Sequence, residues 1–290
     1  MATVPCEHAP VFEIVTLKSG ERSIRSLFHG ETMHVGTGPR SEALALHIDQ
    51  PQILQRLREW DSAAPFVIWD VGLGPAGNVL TLLETLRETL KETECPIEIH
   101  SFEISTAILT FALQHALELS YLAGWEIAEG ELLRTGAANP LPHVRWHLHL
   151  GDFRESTLLA PPPASIFHDP YSPAKNPEMW SLETFRRMRV RTGESGAPPC
   201  LLTNYTRSTA IRVTLALAGW FVGIGVPTGD KTETTVTASH IDLLERPLGR
   251  DWLKRVRGST NAAPFRDGIY APGPITAEDL CVLESLPQFG

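Results

Sequence analysis

Between residues 65 and 240, short apolar runs alternate with segments whose apolar residues recur at helical spacing. The first unit is the clearest, because an apolar run at 66–71 ends in glycines and helical spacing follows over 79–90. Such alternation predicts a mostly parallel sheet that is covered by helices on both faces. Seven strands are predicted in this way, at 66–71, 97–103, 144–150, 165–168, 200–205, 220–226 and 234–238.

The connections between these elements divide the chain into parts. The last two strands are joined by too few residues for a helical crossover, so we expect them to pair antiparallel. Ahead of the sheet, two short runs at 11–15 and 24–28 flank a turn and predict a hairpin, and helical spacing follows. We assign residues 1–64 to a small N-terminal appendage, 65–240 to the main domain and 241–290 to a C-terminal extension.

Composition excludes several classes of protein. The chain has 290 residues, of which 42% are hydrophobic, and this is enough apolar material for a large core. The longest apolar stretch is interrupted by glycines and is shorter than the about 20 residues that cross a bilayer. The N-terminus has no basic region followed by an apolar one, and four scattered cysteines form no metal or disulfide pattern. We expect a cytoplasmic protein without a membrane segment or a metal.

A glycine-rich segment, DVGLGPAGN at 70–78, lies between the first strand and the first helix of the main domain. Small residues at this place let a ligand approach the backbone and the N-terminus of the helix. Gly72, Gly74, Gly77 and Asn78 are therefore candidates for binding a nucleotide-like cofactor. The GxGxxG spacing fits NAD as well as S-adenosylmethionine and does not separate the two.

Acidic residues near the strand ends favour S-adenosylmethionine. Asp70 precedes the glycines, where it would face the methionyl ammonium but would repel a pyrophosphate. Asp152, after the third strand, can accept a hydrogen bond from the adenine amino group. Glu103, at the end of the second strand, can accept from both ribose hydroxyls, which either cofactor would need. The competing interpretation is that Glu103 and Asp152 only cap the ends of their strands.

The fourth strand leads into HDPYSPAKNPEMW at 168–180, where three prolines in eight residues restrict the loop and remove amide donors. Its first residues are similar to the Asp/Asn-Pro-Pro-Tyr loops of amine-methylating enzymes. In those loops a carboxylate and a carbonyl accept from the amine, and an aromatic ring packs beside it. The alternative is a proline-rich strand exit without a chemical role. We assign Asp169 and Tyr171 to catalysis, and Lys175, Asn176 and Trp180 to substrate binding.

The same segment matches the pattern Asp-x-Phe-Ser/Ala-Pro-x-x-Asn-Pro-x-Leu/Met-Trp, with Tyr171 in place of the commoner Phe. The chain thereby resembles the methyltransferase component of MnmC and its stand-alone relatives. The resemblance implies a class I, Rossmann-like methyltransferase fold with a small N-terminal appendage. It also implies that S-adenosylmethionine methylates the amine of 5-aminomethyluridine, with or without a 2-thio group, at the tRNA wobble position. Asp169 falls on the family's active-site aspartate, Glu103 on its ribose-binding acid, and Gly72 and Gly74 on its cofactor loop. Shorter matches lie at 33–36, 41–42, 205–207, 212, 218–221, 231–233 and 263–267.

Two features depart from the family. Ala76 stands where the cofactor loop usually has its third glycine, and Gly77 follows it. Bifunctional members also carry a flavin-dependent oxidase half. We expect no flavin, because no such half fits in 290 residues.

A tRNA partner requires a local basic face, because the formal net charge of -9 disfavours non-specific attraction to a polyanion. Two basic runs, at 186–191 and 254–257, are candidates for contacts with the phosphates of an anticodon loop, although either could be an ordinary solvated helix face. Three alternatives stay open: a methyltransferase of the same fold for another amine, a non-catalytic RNA- or cofactor-binding relative, and an NAD-dependent reductase. The arginines assigned to the first run are Arg186, Arg187, Arg189 and Arg191.

Overall fold

The computed structural model describes residues 12–34, 37–89, 95–229 and 231–290. Four residues of predicted features lie outside the described residues. They are Val11 of the hairpin, Val35 and Gly36 of a family match, and Leu90 of the first helix of the main domain.

The predicted N-terminal hairpin is present and is extended by a third strand. β1 (Phe12–Thr16) pairs antiparallel with β2 (Arg22–Ser26), which pairs antiparallel with the short β3 (Glu31–Thr32). Ser23 Oγ donates to the Met33 carbonyl oxygen at 2.7 Å and fixes the chain after β3. This small sheet lies against the loop that follows the fourth predicted strand, because Ser172 donates its backbone N–H to the Glu31 carboxylate at 3.1 Å.

A larger sheet forms the centre of the fold. Its strands are β4 (Phe66–Val71), β5 (Ile97–Glu103), β6 (Ala137–Leu141), β7 (Val144–Leu150), β8 (Ser165–His168), β9 (Leu201–Asn204), β10 (Phe221–Gly225) and β11 (Thr234–Ala238). They lie in the order β10-β11-β9-β8-β4-β5-β7-β6. β7, β5, β4, β8 and β9 are parallel. β10 and β11 pair antiparallel, as predicted.

The prediction of seven strands is wrong, because the sheet has eight among the described residues. The missed strand, β6, pairs antiparallel with β7 at the edge of the sheet, and its register shifts between Ala138 and Leu141. Its sequence, AANPL, has no apolar alternation and contains a proline. A proline is tolerated at a sheet edge, where its missing N–H breaks no ladder. The pattern that finds central strands therefore does not find this one.

Helices cover both faces of the central sheet. Three of them begin after a serine or threonine whose hydroxyl accepts the backbone N–H three residues later, namely Ser181, Ser208 and Thr276. The α-helices are α1 (Pro39–Ala43), α2 (Ile53–Arg58), α3 (Gly77–Thr89), α4 (Ala107–Gln114), α5 (Glu126–Thr135), α6 (Phe153–Ser156), α7 (Leu182–Arg191), α8 (Thr209–Leu217), α9 (Arg250–Gly258) and α10 (Ala277–Glu284). A π-helix spans Leu44–Asp49, and 3-10 helices span Ser120–Leu122, Thr157–Leu159, Pro177–Trp180 and Ile241–Leu243.

Alternate residues of β4 belong to two different cores. Trp69 and Val71 pack with α7, α8, α9 and α10, whereas Phe66 and Ile68 pack with α2, α3, α4 and α5. This is the pattern of a strand that is buried on both faces. Residues of the C-terminal part, such as Trp252, belong to the first of these cores. Among the described residues, no helix is long and apolar enough to span a membrane.

Candidate active site

A cavity of about 820 Å³ opens where the carboxyl ends of the parallel strands meet the N-terminal sheet. The loops after β4, β5, β7, β8 and β9 form most of its wall, which is where ligands bind in folds of this kind. We call it the active-site cavity. Residues predicted from the sequence that line it are Gly72, Gly74, Gly77, Asn78, Glu103, Asp152, Asp169, Tyr171, Lys175 and Asn176.

The glycine loop brings its backbone against the loop after β8. Gly72 has φ +92°, and a Cβ at this position would lie 2.8 Å from the Asp169 carbonyl oxygen. Only glycine therefore fits there without moving Asp169. Ala76, which replaces the third glycine of the family loop, has φ +63°. It holds the left-handed conformation that a glycine would adopt without strain, at a cost of about 1–2 kcal/mol.

Glu103 is anchored at the end of β5 by three backbone donors. Its carboxylate accepts from the N–H groups of Gly74 and Ile104 at 2.9 Å and of Ser105 at 3.3 Å. Burial raises the pKa of Glu103, and these donors oppose the rise. The anchored carboxylate is thus oriented to receive further hydrogen-bond donors from a ligand.

Asp152 is bound by two groups of one residue, Arg154. Its carboxylate caps α6 by accepting from the Arg154 backbone N–H at 2.9 Å, and it also pairs with the Arg154 guanidinium. These hydrogen bonds lower the pKa of Asp152, and the bond from the guanidinium has the largest effect. Asp152 therefore caps the element after its strand, as the competing interpretation holds, and also lines the cavity.

Asp169 is held against the glycine loop by Asn78, whose side-chain amide donates to Oδ2 at 2.8 Å. Burial and the nearby Glu42 raise the pKa of Asp169 to about 8, whereas the hydrogen bond from Asn78 and the charge of Lys231 oppose the rise. A carboxyl group that titrates near neutral pH in a cleft is a candidate proton acceptor.

Three further residues on this wall have no role predicted from the sequence. Glu42, Tyr205 and Lys231 line the cavity. Lys231 Nζ donates to the Tyr205 carbonyl oxygen at 2.9 Å and lies 4.7 Å from the centre of its ring. The Tyr205 hydroxyl donates to the Pro170 carbonyl oxygen at 3.0 Å. These residues lie in segments that match the family, but no spacing in the sequence places them beside Asp169.

Comparisons with known proteins agree with this geometry. A family model described as S-adenosyl-L-methionine-dependent methyltransferase matches residues 137–240. The tRNA 5-methylaminomethyl-2-thiouridine biosynthesis bifunctional protein MnmC of Methylibium petroleiphilum is 25% identical over 227 residues, which are 73% of this chain and 33% of that protein. The crystal structure of MNMC2 from Aquifex aeolicus superposes with a TM-score of 0.70 at 23% identity, covering 97% of this chain and 87% of that chain. The chain is similar to the MnmC methyltransferases and shares their fold.

The resemblance inferred from the sequence and the class I methyltransferase fold are thereby confirmed. The family match favours S-adenosylmethionine over NAD, the two cofactors that the glycine spacing left open. This MnmC-like chain spans about a third of the length of the curated relative that it matches. The family match includes Asp152, Asp169 and Lys231, but the glycine loop and Glu103 precede it.

The cavity of the MnmC-like chain fits this cofactor. The anchored Glu103 carboxylate can receive two ribose hydroxyls. A Cβ at Gly151 would meet no atom within 4 Å, so the wall beside Asp152 leaves room for a flat ring. In the part of the chain that the structure describes, no group of three or more His, Cys, Asp or Glu residues could hold a metal ion.

The sequence predicts that Asp70 faces the methionyl ammonium of the cofactor. Among the described residues Asp70 is outside the cavity wall, and its side chain is buried beneath the glycine loop. Its Oδ2 accepts from Ser101 Oγ at 2.7 Å. Desolvation by burial raises the pKa of Asp70 to about 7. Because successive residues of β4 alternate between the two faces of the sheet, Asp70 lies on the face of Phe66 and Ile68, beside Ser101 of β5, and its contact with the cofactor stays a prediction.

Of the three loop residues assigned to substrate binding, two line the cavity and one is buried behind its wall. Lys175 and Asn176 are on the wall. Trp180 is fully buried, and its indole N–H donates to the Tyr171 carbonyl oxygen at 2.8 Å. Trp180 therefore fixes the backbone of Tyr171, whose ring packs at a tilt of 31° against His29, with the ring centres 4.1 Å apart.

The structure does not bring the four arginines of α7 to the cavity. Arg189 donates to the Gly219 and Ser239 carbonyl oxygens, and Arg191 to that of Ala160. Arg187 Nη1 donates to the Arg154 carbonyl oxygen at 3.2 Å, and Arg186 is exposed. The four side chains point in different directions around the axis of α7, so they do not form one face.

Proposed function

We propose that the chain methylates the amine of 5-aminomethyluridine, with or without a 2-thio group, at the wobble position of tRNA. The observation that carries this proposal is the carboxyl group of Asp169. It lies on the cavity wall with its pKa raised to about 8, beside the glycine loop. Similarity to a protein of tRNA 5-methylaminomethyl-2-thiouridine biosynthesis supports the choice of substrate.

The cofactor would be held by residues on one side of the cavity. Glu103 would accept from the ribose, Asp152 from the adenine amino group, and Gly72 and Gly74 would admit its methionyl part close to the backbone. When bound, S-adenosylmethionine supplies an electrophilic methyl group on a sulfonium. The chain's own task is then to orient the amine and to remove its proton.

Asp169 is suited to the removal of that proton. An alkyl ammonium resembles lysine, whose reference pKa is about 10.4, so an ordinary carboxylate is too weak a base by about six pKa units. At a pKa of about 8, the Asp169 carboxylate is within about two to three units of the ammonium. The carboxylate would accept the proton at Oδ1 or Oδ2 while Asn78 holds its orientation through Oδ2.

The aromatic pair of Tyr171 and His29 would exclude water from the aminomethyl group. The Tyr171 ring lines the cavity and packs against His29, and Trp180 holds its backbone. The hydrogen bond from Tyr205 to Pro170 fixes the other side of the same loop. Removing water favours the neutral amine, which is the nucleophile.

The proposal is tested by incubating the protein with undermodified tRNA and S-adenosylmethionine that carries a labelled methyl group. We expect transfer of label to tRNA, and a loss of about two orders of magnitude or more in Asp169→Asn, which is typical for a positioned acid–base group. Equal transfer by Asp169→Asn would remove Asp169 from the chemistry. Transfer to a small amine but not to tRNA would favour a different substrate for the same fold.

A further inference from the structure

A second, more open depression of about 580 Å³ lies beside the active-site cavity. Tyr205 and Lys231 line both, so the two spaces are contiguous. We call it the side groove. The further residues on its wall that matter here are Arg207, Ser208, Arg255, Ser259 and Asn261.

The side groove is cationic although the chain as a whole is acidic. Its cations are Arg207, Lys231 and Arg255, and none of the described residues that line it is a carboxylic acid. Arg207 is exposed and donates a long hydrogen bond of 3.5 Å to Thr232 Oγ1. The side chain of Arg255 is 58% exposed and lies 3.9 Å from Glu233.

The acids near the groove neutralise these cations unevenly. Glu233 lies closer to Arg212, at 3.0 Å, than to Arg255. Glu42 and Asp169 face Lys231 from the active-site side, whereas Arg207 lies near enough to Lys231 to oppose its charge. Arg207 and Arg255 are therefore the cations of the groove whose charge is least compensated.

We propose that the side groove binds a backbone phosphate of single-stranded RNA, next to the nucleotide whose base enters the active-site cavity. This inference rests on the proposed function. Planar guanidinium groups match the geometry of a phosphate, and the side chains of Ser208, Ser259 and Asn261 offer further donors around it. The shared wall of Tyr205 and Lys231 allows one nucleic-acid ligand to occupy both spaces.

The side groove also replaces the basic face that the sequence analysis expected on α7. Arg189 and Arg191 donate to carbonyl oxygens of the chain itself, which removes them as free phosphate contacts. In the second basic run, Arg255 reaches the groove, whereas its neighbour Lys254 pairs with Asp251 at 2.7 Å and does not line the groove. Lys254 is thus a matched control for Arg255 on the same helix.

The test measures the affinity of a fluorescently labelled anticodon stem-loop RNA as a function of salt. It compares the wild type with Arg207→Ala, Arg255→Ala, the double variant and Lys254→Ala. In the double variant we expect affinity at low salt to fall about tenfold or more. The log-log salt slope should also become shallower by about 0.7, which is the contribution of one phosphate of a single strand. Lys254→Ala should bind like the wild type.

Calorimetric binding of S-adenosylmethionine shows whether each variant is folded. If the double variant does not fold, the RNA affinities of the two single variants test the proposal. RNA affinity of the folded variants equal to that of the wild type would overturn the proposal. An equal loss in Lys254→Ala would also overturn it, because the effect would then be diffuse. If the wild type binds inorganic phosphate but no RNA, the groove belongs to a small phosphorylated ligand, and this result would contradict the proposal.

The binding test needs no methyl transfer, so it separates the two proposals. Groove-dependent RNA binding without methylation of aminomethyluridine would contradict the proposed function alone. The side groove alone would be contradicted by a different result. In that case tRNA is methylated, but neither Arg207→Ala nor Arg255→Ala changes its Michaelis constant or its affinity.

Discussion

Replacing Asp169 by asparagine should stabilise the protein while it abolishes most of the activity. Burial and Glu42 raise the pKa of this carboxyl group from 3.8 to about 8. The folded state therefore disfavours the ionised form, which the unfolded chain adopts freely above about pH 4. Asparagine resembles the neutral acid, and its side-chain oxygen can still accept from Asn78.

The size and the sign of the effect follow from linkage. A raised carboxyl pKa contributes stability that is complete below the unfolded pKa and is lost as pH rises through the folded pKa. One pKa unit corresponds to about 1.36 kcal/mol, so a folded pKa of about 8 sets an upper limit of about 4 kcal/mol at pH 7. Since water in the cavity screens the carboxylate, we expect Asp169→Asn to be more stable by about 2 kcal/mol there.

Urea unfolding between about pH 4 and about pH 9 measures the difference between wild type and Asp169→Asn. The free energy of unfolding should be nearly equal at the acidic end, should increasingly favour the variant as pH rises, and should differ by a constant amount above about pH 8. Asp242→Asn, at an exposed aspartate, controls for the loss of a negative charge. A difference that does not change with pH, or an Asp169→Asn variant that is less stable throughout, would refute the raised pKa.

Three further predictions concern the same wall. Glu103→Ala should weaken S-adenosylmethionine binding in calorimetry by about 1.5–3 kcal/mol, because ribose hydroxyls lose a charged acceptor, and unchanged affinity would remove Glu103 from the site. Gly72→Ala should lower methyl transfer by about 10²-fold, since its Cβ would displace Asp169. Gly20→Ala is its control, because Gly20 also has positive φ but open space around it, and an equal loss there would contradict the steric reason. The ratio kcat/KM of the wild type should rise with pH through about 8, as Asp169 ionises, and this rise should be absent from the residual activity of Asp169→Asn.

The central strands could be predicted from the sequence because each is an apolar run between turn residues. The strand β6 could not, since its residues follow no alternation and a neighbouring strand alone determines its pairing. Apolar residues recur at helical spacing from Ile108 to Leu122 and predict one helix there, but α4 ends at Gln114. Leu119 and Leu122 are still buried, through a turn and a 3-10 helix, so the apolar spacing marked burial correctly without fixing the backbone.

The candidate site was predictable where a residue lies at a strand end. Glu103 and Asp169 reach the cavity because parallel strands end at one edge of the sheet. Asp70 lies one residue before the end of its strand, and its side chain contacts Ser101 of the neighbouring strand instead. Glu42 and Lys231 come from a helix before the sheet and from the connection before its last strand. Only tertiary packing brings these two residues to Asp169, and sequence spacing carries no signal of such packing.

Mass spectrometry of nucleosides from tRNA that has been incubated with the protein and S-adenosylmethionine tests the central claim most directly. The substrate is tRNA with a free aminomethyl group at the wobble uridine, and parallel reactions omit the cofactor or use Asp169→Asn. The account predicts that aminomethyluridine gains one methyl group on its amine, only with the cofactor and the wild-type protein. An unchanged aminomethyluridine, from a protein that binds both S-adenosylmethionine and the tRNA, would contradict the account.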